Sequence, residues 1–199
     1  MEITLELALE KGIEAHKSGN QKEAFRLYSL ILEANPEHAD ANHNMGVLSA
    51  QQDDTNNALP FFKKALDTDP TKRQFWISFI DCLIQLNRLE EAKTSYDLAR
   101  SRGAKGVDFD NLQRRLNEPD QNQIKSLFAI YKLGDHQKTL ENAKALMDQF
   151  PLSATLYNVV GLANRSLRHF DQAIDAFTKA GTLHPYYFEV FNNLGATLQ

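Results

Sequence analysis

The sequence predicts an all-α protein built from stacked helix pairs, and three observations carry that prediction. Helix-breaking residues are few: nine glycines and six prolines in 199 residues. Val-Thr-Ile runs of the kind strands use are almost absent. The chain also repeats itself. Gly12 and Gly46 lie 34 residues apart, as do Gly161 and Gly195, and the same step joins Ala24, Ala58 and Ala92, then Pro36 and Pro70, then Pro151 and Pro185. A fixed period of this size marks supersecondary units that bury their faces only by stacking on one another. Gly46 and Gly161 are 115 residues apart, three steps of 34 with 13 left over, so a single insertion of 13 accounts for the break in register.

The register divides the chain into units Leu5–His38, Ala39–Lys72 and Arg73–Gly106, an insert Val107–Pro119, units Asp120–Ser153 and Ala154–Tyr187, and a half unit 188–199. This makes a first block 1–106, a hinge 107–119 and a second block 120–199. Each full unit reads as two helices. In the second, a helix over Ala39–Gln52 precedes the turn "DDTNN", and another over Ala58–Thr68 stops at "DP", because the residue before proline resists helical angles. Pro60 fits if that helix starts near Asn56 or Asn57, since its missing N–H then falls among unpaired first-turn donors; a late start or slight kink is expected. In the insert, Phe109, Leu112 and Leu116 share one helical face, with Asp108 as the expected N-cap. Small residues (Gly46 with Ala65, Gly161 with Ala180) recur where two helices must approach closely, and Phe62, Tyr96 and Phe177 fill the space between.

These columns resemble the tetratricopeptide repeat along nearly the whole chain. The resemblance rests on Trp76, Tyr157 and Phe191 in one column, and on Met45-Gly46, Val160-Gly161 and Leu194-Gly195 in the next. It continues through Ala24/Ala58/Ala92/Ala173, Tyr28/Phe62/Tyr96/Phe177, Ala65/Ala99/Ala180 and Pro36/Pro70/Pro151/Pro185. Departures are local: Ile80 and Leu127 replace Gly, Thr139 replaces Ala, and Ala104 stands where Pro is expected. The unit 120–153 is the weakest match, though it keeps Gly134 and Pro151. The resemblance implies an α–α superhelix, a solenoid of five full repeats and a half, with first helices lining a concave groove. The chain also looks like the N-terminal regions of larger bacterial proteins, which implies, as an alternative, repeats that run into a glycosyltransferase or sulfotransferase domain and recruit substrate or oligomerise.

The groove columns implied by the resemblance hold His43, Asn44, Gln74 and Asp81 in the first block. In the second they hold Lys125, Tyr131, Asn158, Arg165, Asn192 and Asn193. Amides, scattered charges and apolar neighbours suit an extended peptide, whose backbone needs amide partners. Two ligand modes of the family fit poorly. A Lys/Arg/Asn clamp for acidic C-terminal tails finds Leu9, Ile13, Asn44, Gln74 and Ser78 in its columns. An asparagine ladder finds Glu10, Asn44, Ser78, Lys125, Val159 and Asn193.

Other chemistry is weakly supported. His16, His38, His43, His136, His169 and His184 include no i,i+4 pair on one helix and no completing Cys or carboxylate pair, so no metal is expected. Cys82, the single cysteine, reads as a small buried filler rather than a nucleophile and permits no internal disulfide, which points to a reducing, cytoplasmic setting. Trp76 reads as packing, and Tyr186-Tyr187-Phe188 as a partly packed turn. No phosphate loop or catalytic constellation stands out, so neither enzyme activity nor a cofactor is expected. The net charge of −4 disfavours nucleic acid. The opening "MEITLELALEKG" lacks a signal-peptide pattern, and no apolar run reaches the ~18 residues of a membrane span. The expected partner is a protein or peptide. The half unit "FNNLGATLQ" lacks a second helix, so a longer natural chain, or a homodimer through its apolar edge, is expected.

Overall fold

The computed structural model describes residues 4–199, so Met1–Ile3 of the opening stretch lie outside the described residues. Twelve α-helices and no strands are present among the described residues. They are α1 (Leu5–Lys17), α2 (Gln21–Ala34), α3 (Ala39–Gln51), α4 (Thr55–Thr68), α5 (Arg73–Gln85) and α6 (Leu89–Ser101). The remainder are α7 (Val107–Leu116), α8 (Gln121–Lys132), α9 (His136–Met147), α10 (Ala154–Ser166), α11 (Phe170–Leu183) and α12 (Phe188–Thr197). The chain forms two compact units, Met1–Leu112 and Gln113–Gln199, divided within α7.

The turns inside the helix pairs share one device. Gly19, Asp53, Asn87, Gly134 and Arg168 all take positive φ, between +56° and +84°. Each is followed by the N-cap of the second helix. Asn20, Asp54 and Asp135 accept the backbone N–H of Glu23, Asn57 and Lys138, whereas Arg88 and His169 supply no side-chain cap. The left-handed residue reverses the chain, and the cap satisfies a donor the new helix would otherwise leave open.

Two local expectations are corrected. Asp54 caps α4, so the helix begins at Thr55, earlier than expected, and Pro60 lies in the second turn. There it deprives the Asn56 carbonyl of its i+4 donor, at a cost moderated by the exposure of both residues. Asp108 sits inside the first turn of α7 rather than capping it, and its carboxylate pairs with Arg73 at 2.6 Å.

Within each pair, an aromatic ring of the second helix lies against a glycine of the first. A Cβ added to Gly12, Gly46 or Gly161 would come within 2.6, 2.7 or 2.5 Å of the ring of Tyr28, Phe62 or Phe177 respectively, closer than atoms pack. These glycines therefore set the spacing of α1/α2, α3/α4 and α10/α11. In the third pair Ile80 occupies the glycine column, and Tyr96 instead meets Phe109 of α7, ring centroids 5.9 Å apart. Phe109 and Leu112 of the insert are buried in the same unit.

Among the described residues the backbones of alternate first helices lie close together (α1 with α3, α3 with α5, α8 with α10, α10 with α12), whereas no two second helices come as close. Inside each unit the first helices therefore converge and the second helices splay. That places the first-helix faces on the concave side.

Candidate functional site: the first-helix faces

Polar side chains on the first helices are tied to one another about one repeat apart. In the N-terminal unit the His16 ring meets the Gln51 side chain at 2.8 Å, and His43 Nε2 meets Ser78 Oγ at 2.9 Å. In the C-terminal unit Tyr131 Oη lies 3.0 Å from Ser166 Oγ, and Asn193 donates to Asn158 Oδ1 at 3.1 Å. Every one of these pairs is 35 residues apart. One repeat and one further residue carries a side chain onto the facing flank of the next first helix, so the bond staples neighbours and orients the row.

His43 is the centre of the N-terminal cluster. Its ring stacks on Phe75 at 4.8 Å and tilts against Phe62 at 5.7 Å. Burial pushes its pKa below the usual imidazole value and keeps it neutral, with Lys72 adding to that effect; a side-chain hydrogen bond with Asn44 and the charge of Asp40 work the other way. Lys72 pairs with Asp40 at 2.6 Å and lies over the Phe75 ring at 5.1 Å. Gln74 reaches Ser78 at 3.5 Å, and Asp81 accepts from Gln85 at 2.8 Å. His43 of α3 is thus tied through Ser78 to Gln74 of α5, and Val47 and Ile77 on the same two helices are half-buried.

The C-terminal unit differs from expectation at one residue. Asn158 is fully buried, donates to Tyr187 Oη at 3.2 Å and accepts from Asn193, so it is an internal tie and presents no surface. Its column faces the groove in a standard repeat, but here Tyr187 and α12 close over it. Lys125 and Asn192 are exposed, and Tyr131 and Arg165 half-buried. The aromatic turn divides: Tyr187 packs, whereas Tyr186 and Phe188 are 77% and 71% exposed, contrary to the expected partly packed state.

His16 and His43 each turn to a different partner, and no group of three or more His, Cys, Asp or Glu able to hold a metal occurs among the described residues. Cys82 is buried, donates to the Thr55 carbonyl at 3.5 Å and has its thiol pushed up to about 11 by burial. It is not poised as a nucleophile. Trp76 is buried and donates its indole N–H to the Pro70 carbonyl at 2.9 Å, a packing role.

One feature of the N-terminal unit is not legible in the columns. The splay of α4 and α6 leaves a pocket of about 590 Å³, floored by Leu66, Trp76 and Phe79 and rimmed by Lys63, Glu91 and Arg102. It opens where the backbones of α4 and α6 stand apart, a property of packing rather than of any motif.

Among the described residues no helix is long and apolar enough to cross a membrane. A family model described as Tetratricopeptide repeat matches residues 49–116. The fold as a whole matches solved structures at low identity. A tetratricopeptide repeat protein from Parabacteroides merdae is 16% identical with a TM-score of 0.54, over 98% of this chain and 84% of that one. YrrB, described as a TPR protein with an unusual peptide-binding site, is 15% identical with a TM-score of 0.51, over 94% and 89%. The P58(IPK) TPR domain is 14% identical with a TM-score of 0.54, over 97% of this chain and 54% of that one. A comparison with curated protein sequences finds no match. Residues 49–116 thus match the tetratricopeptide repeat, and the described residues, with glycine–ring packing inside their helix pairs, share the fold of tetratricopeptide-repeat structures.

Proposed function

We propose that the protein is a non-catalytic interaction scaffold that holds an extended peptide on its first-helix faces, with the site centred on α3 and α5. The carrying observation is the tie from His43 of α3 through Ser78 to Gln74 of α5, with half-buried Val47 and Ile77 on the same two helices. An extended segment needs backbone partners at intervals and shallow apolar contact for alternate side chains, and this face offers both. His43 is held neutral and bonded to Ser78, so it shapes the floor, while Asn44 and Asp81 meet the ligand. YrrB, by its description, has a peptide-binding site on the same fold, which supports the class of ligand but not its sequence.

The test is selection from a displayed peptide library on the immobilised chain, followed by titration of a selected peptide. Asn44→Ala and Asp81→Lys each weaken binding by about tenfold or more, whereas Glu90→Lys on the second-helix side leaves it unchanged. Unaltered binding in both groove variants would sink the proposal.

A further inference from the structure

The pocket between α4 and α6 carries a charge pattern of its own. Each acid that lines it has a base three or four residues away: Asp67 meets Lys63 at 2.8 Å, Glu90 meets Lys93 at 3.2 Å, and Glu91 takes two bonds from Arg88. Arg102 is the exception. Its guanidinium lies over the Trp76 ring, 5.6 Å from the centroid, and among the described residues no carboxylate pairs with it. A second cavity of about 480 Å³ adjoins the first along Pro70, Trp76 and Arg102, and the charged residues that line it, Arg73, Arg102 and Lys105, are all basic. Asp108 answers Arg73 at 2.6 Å, which leaves Arg102 and Lys105. The uncompensated charge around Trp76 is therefore positive.

The floor beneath that charge is apolar. Leu66, Trp76 and Phe79 line it, and Leu98 is exposed at the rim. The Trp76 indole N–H already donates to the Pro70 carbonyl at 2.9 Å, so the side chain offers a ring face and no further donor. A volume of about 590 Å³ is that of a small-molecule site, mostly apolar with a few placed polar groups. A guanidinium beside such a floor selects an anion that brings its own apolar body. The carboxylate pairs with the fork of N–H groups, and the hydrocarbon covers the rings and leaves water.

We propose that this pocket binds a small amphipathic carboxylate, an aryl or alkyl acid, with its carboxylate on Arg102 and its body on Leu66, Trp76 and Phe79. A neutral body of the same shape lacks the ion pair, and a bare anion lacks the body. The site lies on the second-helix side and is separate from the groove.

Trp76 is the only tryptophan of the chain, so its fluorescence reports on the pocket directly. The whole chain is titrated with 4-phenylbutyrate, its neutral amide and acetate, each to about 10 mM, a range suited to a ligand of this size. A saturable change in emission is expected with 4-phenylbutyrate, binding at least about tenfold weaker with the amide, and no saturation with acetate. The melting temperature rises with 4-phenylbutyrate, as for any ligand that binds only the folded chain. Arg102→Gln, at an exposed position, lowers affinity for the acid to that for the amide and leaves the amide unchanged. Leu98→Glu, also exposed, sets an acid on the rim and weakens binding of 4-phenylbutyrate by about tenfold or more. Peptide binding at the groove is unchanged in both variants, so a failure of either site is told from a failure of the other. No saturable change with 4-phenylbutyrate, equal affinity for acid and amide, or an Arg102→Gln chain that still prefers the acid overturns the proposal.

Discussion

His43 shows how one side chain can be both structural and responsive. Its ring is enclosed by Phe62 and Phe75, its Nε2 meets Ser78, and burial disfavours the imidazolium. The charged groups that face it are Asp40, which favours the proton, and Lys72, which opposes it. Because the folded-state pKa lies below the unfolded value of 6.5, the unfolded chain binds more protons between the two. The contribution to stability is therefore complete above the unfolded value and falls away as pH drops through the folded one. Urea midpoints measured from neutral to mildly acid pH should fall on acidification, and His43→Gln should flatten that slope. An identical slope in the variant would show that some other group titrates.

At the scale of the element, the turn before α11 is the least optimised of its kind. In the corresponding turns Gly19-Asn20, Asp53-Asp54 and Gly134-Asp135 pair a residue tolerant of positive φ with a capping side chain. Arg168-His169 has neither: Arg168 is held at φ 65° and His169 gives no cap bond. A left-handed conformation costs a branched-at-Cβ or long side chain about 1 kcal/mol, and a missing cap costs about 1 kcal/mol more. Arg168→Gly with His169→Asp is expected to stabilise the protein by roughly 1–2 kcal/mol. In a thermal scan that is about 3 °C per kcal/mol for a chain of this size. Both side chains are exposed, so binding at the groove should not change. No rise in melting temperature would mean the turn is already satisfied by other means.

Over the whole molecule, stability is distributed by neighbours. Among the described residues helix backbones come close only to those one or two positions away, so burial depends on how many neighbours a helix has. In α10 nine residues are buried, whereas α12 buries Val190 alone. Amide exchange in dilute solution should therefore protect α10 most and α12 about 100-fold less or weaker still. Equal protection would mean that the C-terminal unit opens as one block.

The repeat columns were legible in the residues because helix pairing here depends on local size. Gly12, Gly46 and Gly161 pair with Tyr28, Phe62 and Phe177 at a fixed offset, so the period, the helix pairs and the helical insert could all be read from spacing. Individual site residues were less legible. His43 does meet Ser78 beside Gln74, but Asn158, read from the same column as His43, is buried beneath Tyr187. A column states which way a side chain leaves its own helix, not what lies across from it.

What the residues alone determined is therefore the helix periodicity and the close-approach columns, which follow from side-chain volume within a few turns. What only the tertiary structure decided is the exposure of each face. The staples between His43 and Ser78 or Asn158 and Asn193 and the pocket between α4 and α6 depend on how one helix pair is rotated against the next. That rotation is set by packing between units, over distances no local pattern encodes.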